Sequence, residues 1–305
     1  MTKPKISAVI NTWNEEKNLA ECLDTLDFAD EIIVVDMAST DDTKKIAKQY
    51  TDKVYDHPYV GYVEPARNFA LSKASGNWAL IVDADERIPT TLAGKLVDIA
   101  TNDEADFVRV PRKNLVFGQW LKYSRWWPDY NIRFFKRGYV EWQDAIHRPP
   151  ITTGQGINLD PDPKYALIHH HYRTLDEYLE RLIRYTDQQA KELLAEGYKF
   201  SLTDLISKPI AEFLSRFFAG EGYKDGLHGL AISLLQAFST FVVYLRTWQE
   251  EGFTPQKDVL TTPVFQKLIG SKFRELKYWL YTVKIHLSGK KSERFVFKIK
   301  RKLNL

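Results

Sequence analysis

The sequence predicts an α/β protein with a mostly parallel sheet flanked by helices in its N-terminal half, followed by a helical C-terminal region. Two observations predict this fold class. Over the first hundred residues, strand signals alternate with helix signals, and the strand signals are continuous apolar runs, as expected for parallel strands covered on both faces. Beyond residue 173, apolar residues recur at helical spacing instead.

The first three strand signals are each followed by a helix signal. Residues 39–43 are rich in side chains that cap helix N-termini, and residues 174–177 resemble a capping box at the start of the helical region. Between these parts, residues 107–172 show strand signals and aromatic-rich loops. The predicted strands are residues 6–11, 31–36, 53–55 and 78–83, and the predicted helices begin near residues 14, 41 and 65.

The composition of the 305 residues is that of an ordinary soluble protein, with 44% hydrophobic and 27% charged residues. The net charge of +3 gives no reason to expect nucleic acid as a partner. Cys22 is the only cysteine, which excludes an internal disulfide and a cysteine-based zinc cluster. The first residues lead into a short strand without an apolar signal segment, so we expect the protein to stay inside the cell.

Polar side chains stand at the carboxyl ends of three predicted strands, namely Asn11, Asp36 and Asp83. Parallel sheets bind ligands at this edge. Asp83 and Asp85 are one residue apart, so at an extended strand end both side chains would project to the same face. Two carboxylates that close together repel each other unless a cation lies between them, and Mg²⁺ or Mn²⁺ suits such oxygen ligands. An isolated Asp-x-Asp pair can equally be a solvated loop.

Two features of the C-terminal region bear on membranes. Residues 226–245 contain no Asp, Glu, Lys or Arg and are long enough for a membrane span, but His228, Ser233 and Gln236 favour a buried or interfacial helix. Residues 290–302 mix cations with aromatic and aliphatic side chains, which is compatible with an anionic membrane surface and with a solvated basic terminus. Together the two features favour peripheral membrane attachment, although the apolar helices could also form a homo-oligomer.

Four ordered motifs carry a resemblance to a known family: Thr-Trp-Asn-Glu at 12–15, Ile-Val-Val-Asp at 33–36 with Ser-Thr-Asp at 39–41, Ala-Arg-Asn at 66–68, and Asp-Ala-Asp-Glu at 83–86. The N-terminal segment resembles the inverting glycosyltransferases of family 2, which have the GT-A nucleotide-sugar-binding fold. Further motifs are similar to the branch of lipopolysaccharide-core β-glucosyltransferases, at residues 127–135, 146–147 and 170–173.

The resemblance implies a division of the chain into a catalytic domain and an extension. The GT-A catalytic domain would cover residues 1–172, with a nucleotide-binding half at 1–105 and an acceptor-side half at 106–172. Residues 173–305 would form the helical C-terminal region, with possible membrane association.

The resemblance also assigns the donor site. It implies that Thr12, Asn14 and Glu15 contact the nucleoside and that Asp36 accepts hydrogen bonds from uracil or ribose. Arg67 matches a position near the base and diphosphate, where a guanidinium suits phosphate oxygens. Each residue also has a structural interpretation, since Asn14 or Glu15 can cap a helix and Arg67 can be a solvated helix residue.

For the metal, the resemblance implies that Asp83 and Asp85 hold Mg²⁺ or Mn²⁺ against the diphosphate, with Asp85 as the direct ligand and Asp83 toward the ribose or sugar. Such a metal neutralises charge that develops on the departing nucleoside diphosphate. His147 is a further candidate for contact with the metal or diphosphate, and a packed loop histidine is the alternative. The three histidines at 169–171 diverge in an extended chain and do not suit one zinc site, but one of them could complete the metal site.

An inverting transfer needs a carboxylate that takes the proton of the acceptor hydroxyl. Asp144 is the first candidate, because it lies where the family supplies a carboxylate just before the acceptor-side loop. Asp129 is the second candidate and Glu141 the third. Related sequences often have His-Glu where this chain has His147 and Arg148, which removes one further carboxylate.

The predicted function is an inverting, metal-dependent transfer of a hexose such as glucose from a UDP-sugar. The acceptor would be a membrane-anchored glycan such as lipopolysaccharide core, at the cytoplasmic face of the inner membrane. Two alternatives fit the same motifs: a transferase that makes a polyprenyl-phosphate sugar, and a non-catalytic scaffold that binds nucleotide sugars. A nucleotide-dependent oxidoreductase fits poorly, because no Gly-x-Gly-x-x-Gly turn follows the first strand.

Overall fold

Two units divide the chain in the computed structural model, which describes residues 4–59, 63–143, 149–255, 259 and 263–303. The first unit comprises Met1–Trp120 and Trp127–His171, and the second comprises Leu121–Trp126 and Tyr172–Leu305. The short segment 121–126 is anchored within the second unit. There the Asp225 carboxylate accepts hydrogen bonds from the backbone N–H groups of Lys122 and Tyr123, the latter at 3.0 Å.

The first unit is an α/β structure in which most strands make one large mixed sheet. Its strands are β1 (Ile6–Thr12), β2 (Glu31–Asp36), β3 (Val54–Asp56), β4 (Trp78–Asp83), β5 (Glu86–Arg87), β6 (Phe107–Val116), β7 (Gln119–Trp120), β8 (Asp129–Lys136), β9 (Val140–Glu141), β10 (Ile151–Thr152), β11 (Gly156–Asn158) and β12 (Leu167–Tyr172). Its helices are α1 (Leu19–Leu23), α2 (Thr43–Tyr50), α3 (Glu64–Ser72) and α4 (Thr90–Asn102), with a 3₁₀ turn at Pro163–Tyr165. The order across the sheet is β3-β2-β1-β4-β8-β6-β12-β5, with β7 and β11 paired to β6, and β9 pairs with β10 separately.

The parallel part of the sheet, β1 to β4, brings its carboxyl ends to one edge. In this register Thr12 pairs with Asp36, and Asn11 pairs with Asp83. One face of the strands packs with apolar side chains of α1 and α4, and the other packs with Ala70 of α3. Burial on both faces explains the continuous apolar runs, and the predicted α/β class is confirmed.

The antiparallel part of the sheet brings distant residues to the end of β4. β8 lies antiparallel to both β4 and β6, and the pairing of β8 with β6 sets Arg112 opposite Asp129. The short strand β5 pairs antiparallel with β12, which sets His169 opposite Glu86. Side chains from four separate segments therefore meet next to Asp83.

Two local predictions are wrong. β4 ends at Asp83, and residues 84–85 form a turn before β5 because the chain must redirect to pair with β12. Asp85 is therefore not an extended-strand neighbour of Asp83, and the same-face argument does not apply. The first helix begins at Leu19 and not near residue 14, because Asn14 has a left-handed backbone (φ 53°) that a helix cannot include.

From Leu175 onward, the regular elements among the described residues of the second unit are all helices. Its elements are α5 (Leu175–Ala195), α6 (Leu202–Phe213), a π-helical turn (Leu214–Ala219), a 3₁₀ turn (Gly222–Asp225), α7 (Gly226–Glu250), α8 (Pro263–Leu287) and α9 (Lys291–Leu303). Thr174 is confirmed as the N-cap of α5, but the reciprocal bond of the predicted capping box goes to Arg173, one residue before the N-cap. Oγ1 of Thr174 accepts from the N–H of Glu177 at 3.2 Å, and the Glu177 carboxylate accepts from the N–H of Arg173 at 2.7 Å.

The apolar helix α7 packs against α5 and α6. Ser233 is fully buried on this helix, whereas Leu227, Leu234 and Phe238 are 76%, 51% and 48% exposed. Within the described part of the chain, the stretch Gly222–Glu250 is long and apolar enough to cross a membrane, and 22% of its most apolar window is buried. The helix α7 is therefore only partly buried within the described residues.

Candidate active site

The carboxyl ends of β1 and β2 present buried oxygens with unused hydrogen-bonding capacity. Oδ1 of Asn11, Oγ1 of Thr12 and Oδ1 of Asp36 have no hydrogen-bond partner among the described residues. The other Asp36 oxygen accepts from the N–H of Ser39 at 3.2 Å, and Asn11 donates to the carbonyl of Ala66 at 3.1 Å. A buried polar atom without a partner costs about 1–3 kcal/mol. A ligand that donates hydrogen bonds at this edge would remove that cost.

Asn14 and Glu15 tie together the loops that follow β1 and β2. Oδ1 of Asn14 accepts from the N–H of Thr40 at 2.8 Å, and the N–H of Asn14 donates to Oγ of Ser39 at 2.9 Å. The N–H of Glu15 donates to Oγ1 of Thr43 at 2.7 Å. These hydrogen bonds fix the position of both loops beside the buried oxygens.

Two contacts of motif residues were not predicted from the sequence. Trp13 stacks on Tyr59 with ring centroids 4.3 Å apart and an interplanar angle of 17°. Asn68 donates to the carbonyl of Trp142 at 2.7 Å and accepts from its N–H at 3.0 Å. The Trp142 ring lies 5.5 Å from the guanidinium carbon of Arg67. Asn68 therefore fixes the aromatic residue that covers Arg67.

Asp83 is held between two guanidinium groups. Its Oδ1 accepts from Nη2 of Arg67 at 3.0 Å, and its Oδ2 accepts from Nη2 of Arg133 at 2.5 Å. The side chains of Arg67 and Arg133 are only 11% and 3% exposed. Burial by itself raises the pKa of the Asp83 carboxyl, but the two guanidinium groups outweigh burial and hold this pKa well below its ordinary range. Asp83 is therefore ionised, and the protein itself compensates its charge.

The charge network continues from Arg133 to Asp129. Nη2 of Arg133 also donates to Oε1 of the fully buried Glu86 at 2.5 Å, and Nη1 of Arg112 lies 3.6 Å from the same oxygen. Nε and Nη2 of Arg112 donate to Oδ2 of Asp129 at 2.9 and 2.7 Å. Burial lowers the pKa of Arg133, but the carboxylates of Asp83 and Glu86 raise it above its ordinary value. Arg133 therefore keeps its charge in the interior.

The network reaches Asp85 through a histidine. Nδ2 of Asn114 donates to Oδ2 of Asp129 at 3.1 Å, and Oδ1 of Asn114 faces Nδ1 of His169 at 2.6 Å. The carboxylate can only accept, which fixes the orientation of the amide, and the amide oxygen in turn favours a proton on Nδ1 of His169. Nε2 of His169 lies 3.4 Å from Oδ2 of Asp85 and 3.4 Å from Nδ1 of His171.

The facing pair of Asp85 and His169 has the chemistry of a cation site. Their side chains are 12% and 5% exposed, so water screens them little. A neutral imidazole with its proton on Nδ1 presents a lone pair at Nε2, and this lone pair and a carboxylate repel each other unless a proton or a cation lies between them. Over the described ranges, no group of three or more His, Cys, Asp or Glu side chains forms a complete metal site. A metal bound here would need further ligands besides this pair.

The structure brings most of the predicted donor-site residues to one edge of the sheet. Thr12 and Asp36 contribute buried oxygens there, and Arg67, Asp83 and Asp85 belong to the charge network. The structure supports the predicted proton acceptors less well than the donor-site residues. Asp144 and His147 lie outside the described residues, Glu141 is exposed on β9, and Oδ2 of Asp129 is occupied by donors from Arg112 and Asn114.

Four members of the network were not predicted as site residues: Glu86, Arg112, Asn114 and Arg133. Glu86 and Arg133 stand inside the motifs that carry the family resemblance, but no role was assigned to them. A signal was available for Arg133, because it interrupts an apolar run in a strand and a cation at such a position requires a buried partner. Arg112 and Asn114 had no comparable local signal.

Comparisons with known proteins identify the family of this chain. The family model described as glycosyl transferase family 2 matches residues 7–153. An uncharacterized glycosyltransferase of Rickettsia typhi is 31% identical over 251 residues, which cover 78% of this chain and 85% of that protein. The lipopolysaccharide core biosynthesis glycosyltransferase LpsC of Rhizobium meliloti is 26% identical over 265 residues, which cover 84% of this chain and 97% of that protein.

Among solved structures, the chain is loosely similar to a glucosyl-3-phosphoglycerate synthase of Mycobacterium tuberculosis, crystallised with Mn²⁺ and UDP-glucose. The TM-score is 0.30 and the identity 26%, over 37% of this chain and 44% of that one. The family model and the sequence relatives define an enzyme that transfers a sugar. The chain belongs to glycosyltransferase family 2, and the predicted family, fold class and enzyme class are confirmed.

Proposed function

We propose that this enzyme transfers a hexose, glucose in the first instance, from a UDP-sugar to a membrane-anchored glycan with inversion of configuration. Catalysis would belong to residues 1–172. The observation that carries the proposal is the joint placement, at one sheet edge, of unused buried acceptors and of the Asp85–His169 pair. The relative named for lipopolysaccharide core biosynthesis supports such a core as the acceptor class, at the cytoplasmic face of the inner membrane.

The unused oxygens at the ends of β1 and β2 suit the nucleoside of the donor. Oδ1 of Asp36 is a fixed, buried acceptor, so it suits an N–H of uracil or a hydroxyl of ribose. Thr12 adds a hydroxyl that both donates and accepts. Asn14 and Glu15 contribute by holding the two loops in place, and their side chains are the proposed further contacts to the nucleoside.

Arg67 suits the diphosphate of the donor. Its guanidinium group binds Asp83 through Nη2 and is packed against Trp142, so its orientation is set before any ligand arrives. A guanidinium that is already positioned loses little conformational entropy when it binds phosphate oxygens. Asp83 contributes to donor binding by orienting Arg67 and Arg133, since both of its oxygens accept from these arginines.

The residues present fit a divalent cation, Mg²⁺ or Mn²⁺. Asp85 Oδ2 and His169 Nε2 face each other at 3.4 Å, and carboxylate and imidazole are both ligands that Mn²⁺ accepts. Asp83 is the weaker ligand of the predicted pair, because its charge is already compensated by two arginines. Diphosphate oxygens and water would complete the coordination, as is usual for such ions. When bound, the metal would supply charge stabilisation for the departing nucleoside diphosphate.

The proton of the acceptor hydroxyl must pass to a carboxylate. We keep Asp144 as the proposed base and His147 as a proposed contact of the metal or diphosphate. Asp129 is a less suitable base, because its Oδ2 already accepts three hydrogen bonds, two of them from Arg112. Oδ2 of Asp129 is therefore not available to an acceptor hydroxyl.

Turnover of a panel of UDP-sugars by the purified chain tests the proposal. We expect release of UDP from one donor, loss of this activity with EDTA, and its return with Mn²⁺. Core oligosaccharide and a polyprenyl phosphate, offered as competing acceptors, distinguish a glycan transferase from a lipid-phosphate transferase. Full activity after chelation, or no turnover and no UDP binding with any donor, would overturn the proposal.

A further inference from the structure

The C-terminal helices carry a charge unlike that of the rest of the chain. Residues 263–303 contain 12 Lys or Arg and two Glu, a net charge of +10, although the whole chain has a net charge of only +3. Both glutamates already contact lysines, Glu275 with Lys272 at 2.9 Å and Glu293 with Lys290 at 3.6 Å. We call residues 263–303, which form α8 and α9, the basic hairpin.

One face of α9 packs on α8. The ring of Phe297 stacks on Tyr281 with centroids 6.3 Å apart. One turn further on, Nη1 of Arg301 donates to Oγ1 of Thr282 at 3.2 Å, and its guanidinium lies 5.3 Å from the centre of the Tyr278 ring. Phe297 and Arg301 therefore mark the inner face of α9.

The opposite face of α9 is apolar and exposed. Phe295, Val296, Ile299 and Leu303 are 65%, 46%, 43% and 60% exposed. At about 100° per residue, these four side chains fall within an arc of about 100° that lies opposite Phe297. Soluble proteins rarely expose a contiguous apolar face of this kind unless it contacts something.

Lysines border this apolar face on both sides. The same helical geometry places Lys298 and Lys302 along one edge of the apolar arc and Lys300 along the other, and all three are exposed. On α8, Phe273, Leu280 and Leu287 recur every seven residues and are 62%, 43% and 70% exposed. The hairpin therefore presents apolar side chains and cations to solvent at the same time.

We propose that the basic hairpin is a binding site for the surface of a bilayer that contains anionic phospholipids. An amphipathic helix with an apolar face bordered by lysines lies in the plane of a membrane interface, with its apolar side chains at the acyl boundary and its cations at the phosphates. The cations would each strengthen binding about fivefold near an anionic surface, which corresponds to about 1 kcal/mol.

An anionic bilayer matches both the apolar face and the lysines of the hairpin, whereas a nucleic acid matches the lysines alone. A nucleic acid would neutralise the cations but would leave Phe295, Ile299 and Leu303 exposed to water. An acyl boundary covers these apolar side chains while the adjacent phosphates neutralise the lysines. This inference does not depend on the proposed reaction, because no residue of the hairpin belongs to the charge network.

Co-sedimentation of the full chain with vesicles tests the proposal. We expect binding to phosphatidylcholine vesicles that contain phosphatidylglycerol, no binding to pure phosphatidylcholine, and weaker binding at high salt. Equal binding to both vesicles, or binding to duplex DNA with none to vesicles, would overturn the proposal.

An apolar variant tests the contribution of the exposed face. In Phe295→Gln/Ile299→Gln/Leu303→Gln the charge is unchanged, and glutamine keeps the helix propensity. We expect at least about a hundredfold weaker partitioning into anionic vesicles, since three apolar side chains no longer enter the interface. Unchanged binding would mean that the hairpin binds vesicles through its charge alone, and it would contradict the proposal.

A cationic variant tests the flanks of that face. We expect Lys298→Gln/Lys300→Gln/Lys302→Gln to bind about a hundredfold more weakly, at about fivefold for each cation removed, and to show a smaller salt dependence. Unchanged affinity in this variant would also overturn the proposal.

A matched control removes three exposed lysines elsewhere, in Lys45→Gln/Lys48→Gln/Lys199→Gln. This variant should bind within about threefold of the unmodified chain, because a general loss of positive charge is not the cause. Circular dichroism confirms that each variant folds, and UDP-sugar turnover should stay within about twofold in all three. A failure of vesicle binding with turnover intact would reject the membrane site and leave the proposed reaction standing.

Discussion

Charged side chains are arranged in opposite ways in the active-site network and in the basic hairpin. In the network, each of the three guanidinium groups contacts a carboxylate, and Arg133 and Glu86 are almost completely buried. The hairpin has 12 cations but only two glutamates, and the cations of α9 are nearly all exposed. Buried charges must be compensated within the protein because desolvation is costly, whereas exposed charges are hydrated and need no partner within the protein. The first arrangement fixes the positions of its side chains, as the proposed reaction requires, and the second suits the proposed binding to an extended anionic surface.

The largest expected effect is the loss of stability when a buried cation is removed. Arg133→Met leaves the carboxylates of Asp83 and Glu86 without their shared partner, so we expect the free energy of unfolding to fall by about 3–5 kcal/mol. Urea denaturation, combined with hydrogen exchange of β8 amides, measures this loss. The partly exposed Arg109 on β6 provides the control, since Arg109→Met should cost less than about 1 kcal/mol. A loss below 1 kcal/mol for Arg133→Met would mean that Arg133 does not compensate the charges of Asp83 and Glu86.

A second variant separates the charge proposed to act in catalysis, that of Asp85, from the charges that stabilise the fold. Asp85→Asn keeps the shape of the side chain but removes the charge that faces His169, so we expect kcat/KM to fall by about a hundredfold or more, or about 3 kcal/mol. The loss of stability should be smaller than for a substitution at Asp83, whose two carboxylate oxygens accept from Arg67 and Arg133. Asp52→Asn, at an exposed position, should keep activity within about twofold. A loss of less than tenfold in Asp85→Asn would remove Asp85 from the reaction.

The pH dependence of stability extends the comparison to Glu31 at the start of β2. Burial raises the pKa of Glu31, but hydrogen bonds from Lys53, Ser7 and Ser75 outweigh burial and lower it from 4.5 to about 2. A carboxyl with a lowered pKa stabilises the fold fully above its ordinary value, and this contribution disappears as the pH falls toward 2. We therefore expect Glu31→Gln to cost about 2 kcal/mol at neutral pH.

Urea denaturation of both proteins at a series of pH values measures this cost. The difference between Glu31→Gln and the unmodified chain should shrink steadily below pH 4.5, down to the lowest pH at which both fold. A constant difference across that range would mean that the ionised Glu31 carboxylate is not the source of the stabilisation.

A smaller effect is expected for the residue that orients the histidine. Asn114→Ala removes the acceptor that places the proton of His169 on Nδ1, while the facing pair of His169 and Asp85 is left in place. Outer partners of a metal ligand typically contribute about tenfold or more to affinity. We expect about tenfold weaker binding of Mn²⁺ in the presence of UDP, measured by calorimetry. Unchanged affinity would exclude His169 as a ligand or Asn114 as the residue that positions it.

The parallel half of the sheet and its polar edge could be predicted from the sequence, because each depends on local patterns. Continuous apolar runs marked β1, β2 and β4, and Asp36 and Asp83 followed directly from where those runs end. The prediction failed where the chain departs from a regular element. Asn14 begins no helix because of its left-handed backbone, and Asp85 lies in a turn that no periodicity marks.

The charge network could not be predicted, because its members meet only through long-range pairing. Arg112 reaches Asp129 through the register of β6 with β8, and His169 reaches Asp85 through the pairing of β12 with β5. Neither register has a signature in one local window of sequence. The three histidines at 169–171 were recognised as candidates, but only the pairing of β12 distinguishes His169 from its neighbours.

The smallest predicted effect has the opposite sign to the first. Lys298 lies four residues from both Arg294 and Lys302 on α9, and like charges at this spacing destabilise a helix by about 0.2–0.5 kcal/mol per pair. Lys298→Gln should therefore stabilise α9 by a few tenths of a kcal/mol at low salt, and this gain should vanish at high salt because the repulsion is screened. Hydrogen exchange of α9 amides measures it, with Lys298→Arg as the control that keeps the charge.

The sign of the change in stability when a cation is removed distinguishes the charge network from the basic hairpin. A cation that is compensated within the fold stabilises it, as Arg133 does between Asp83 and Glu86, whereas a cation reserved for an external surface weakens the free protein slightly. Anionic vesicles should reverse the sign for Lys298, because phospholipid phosphates then supply the missing countercharge. If Lys298→Gln destabilised α9 in the absence of vesicles, Lys298 would already have a partner inside the protein, and the contrast between network and hairpin would fail.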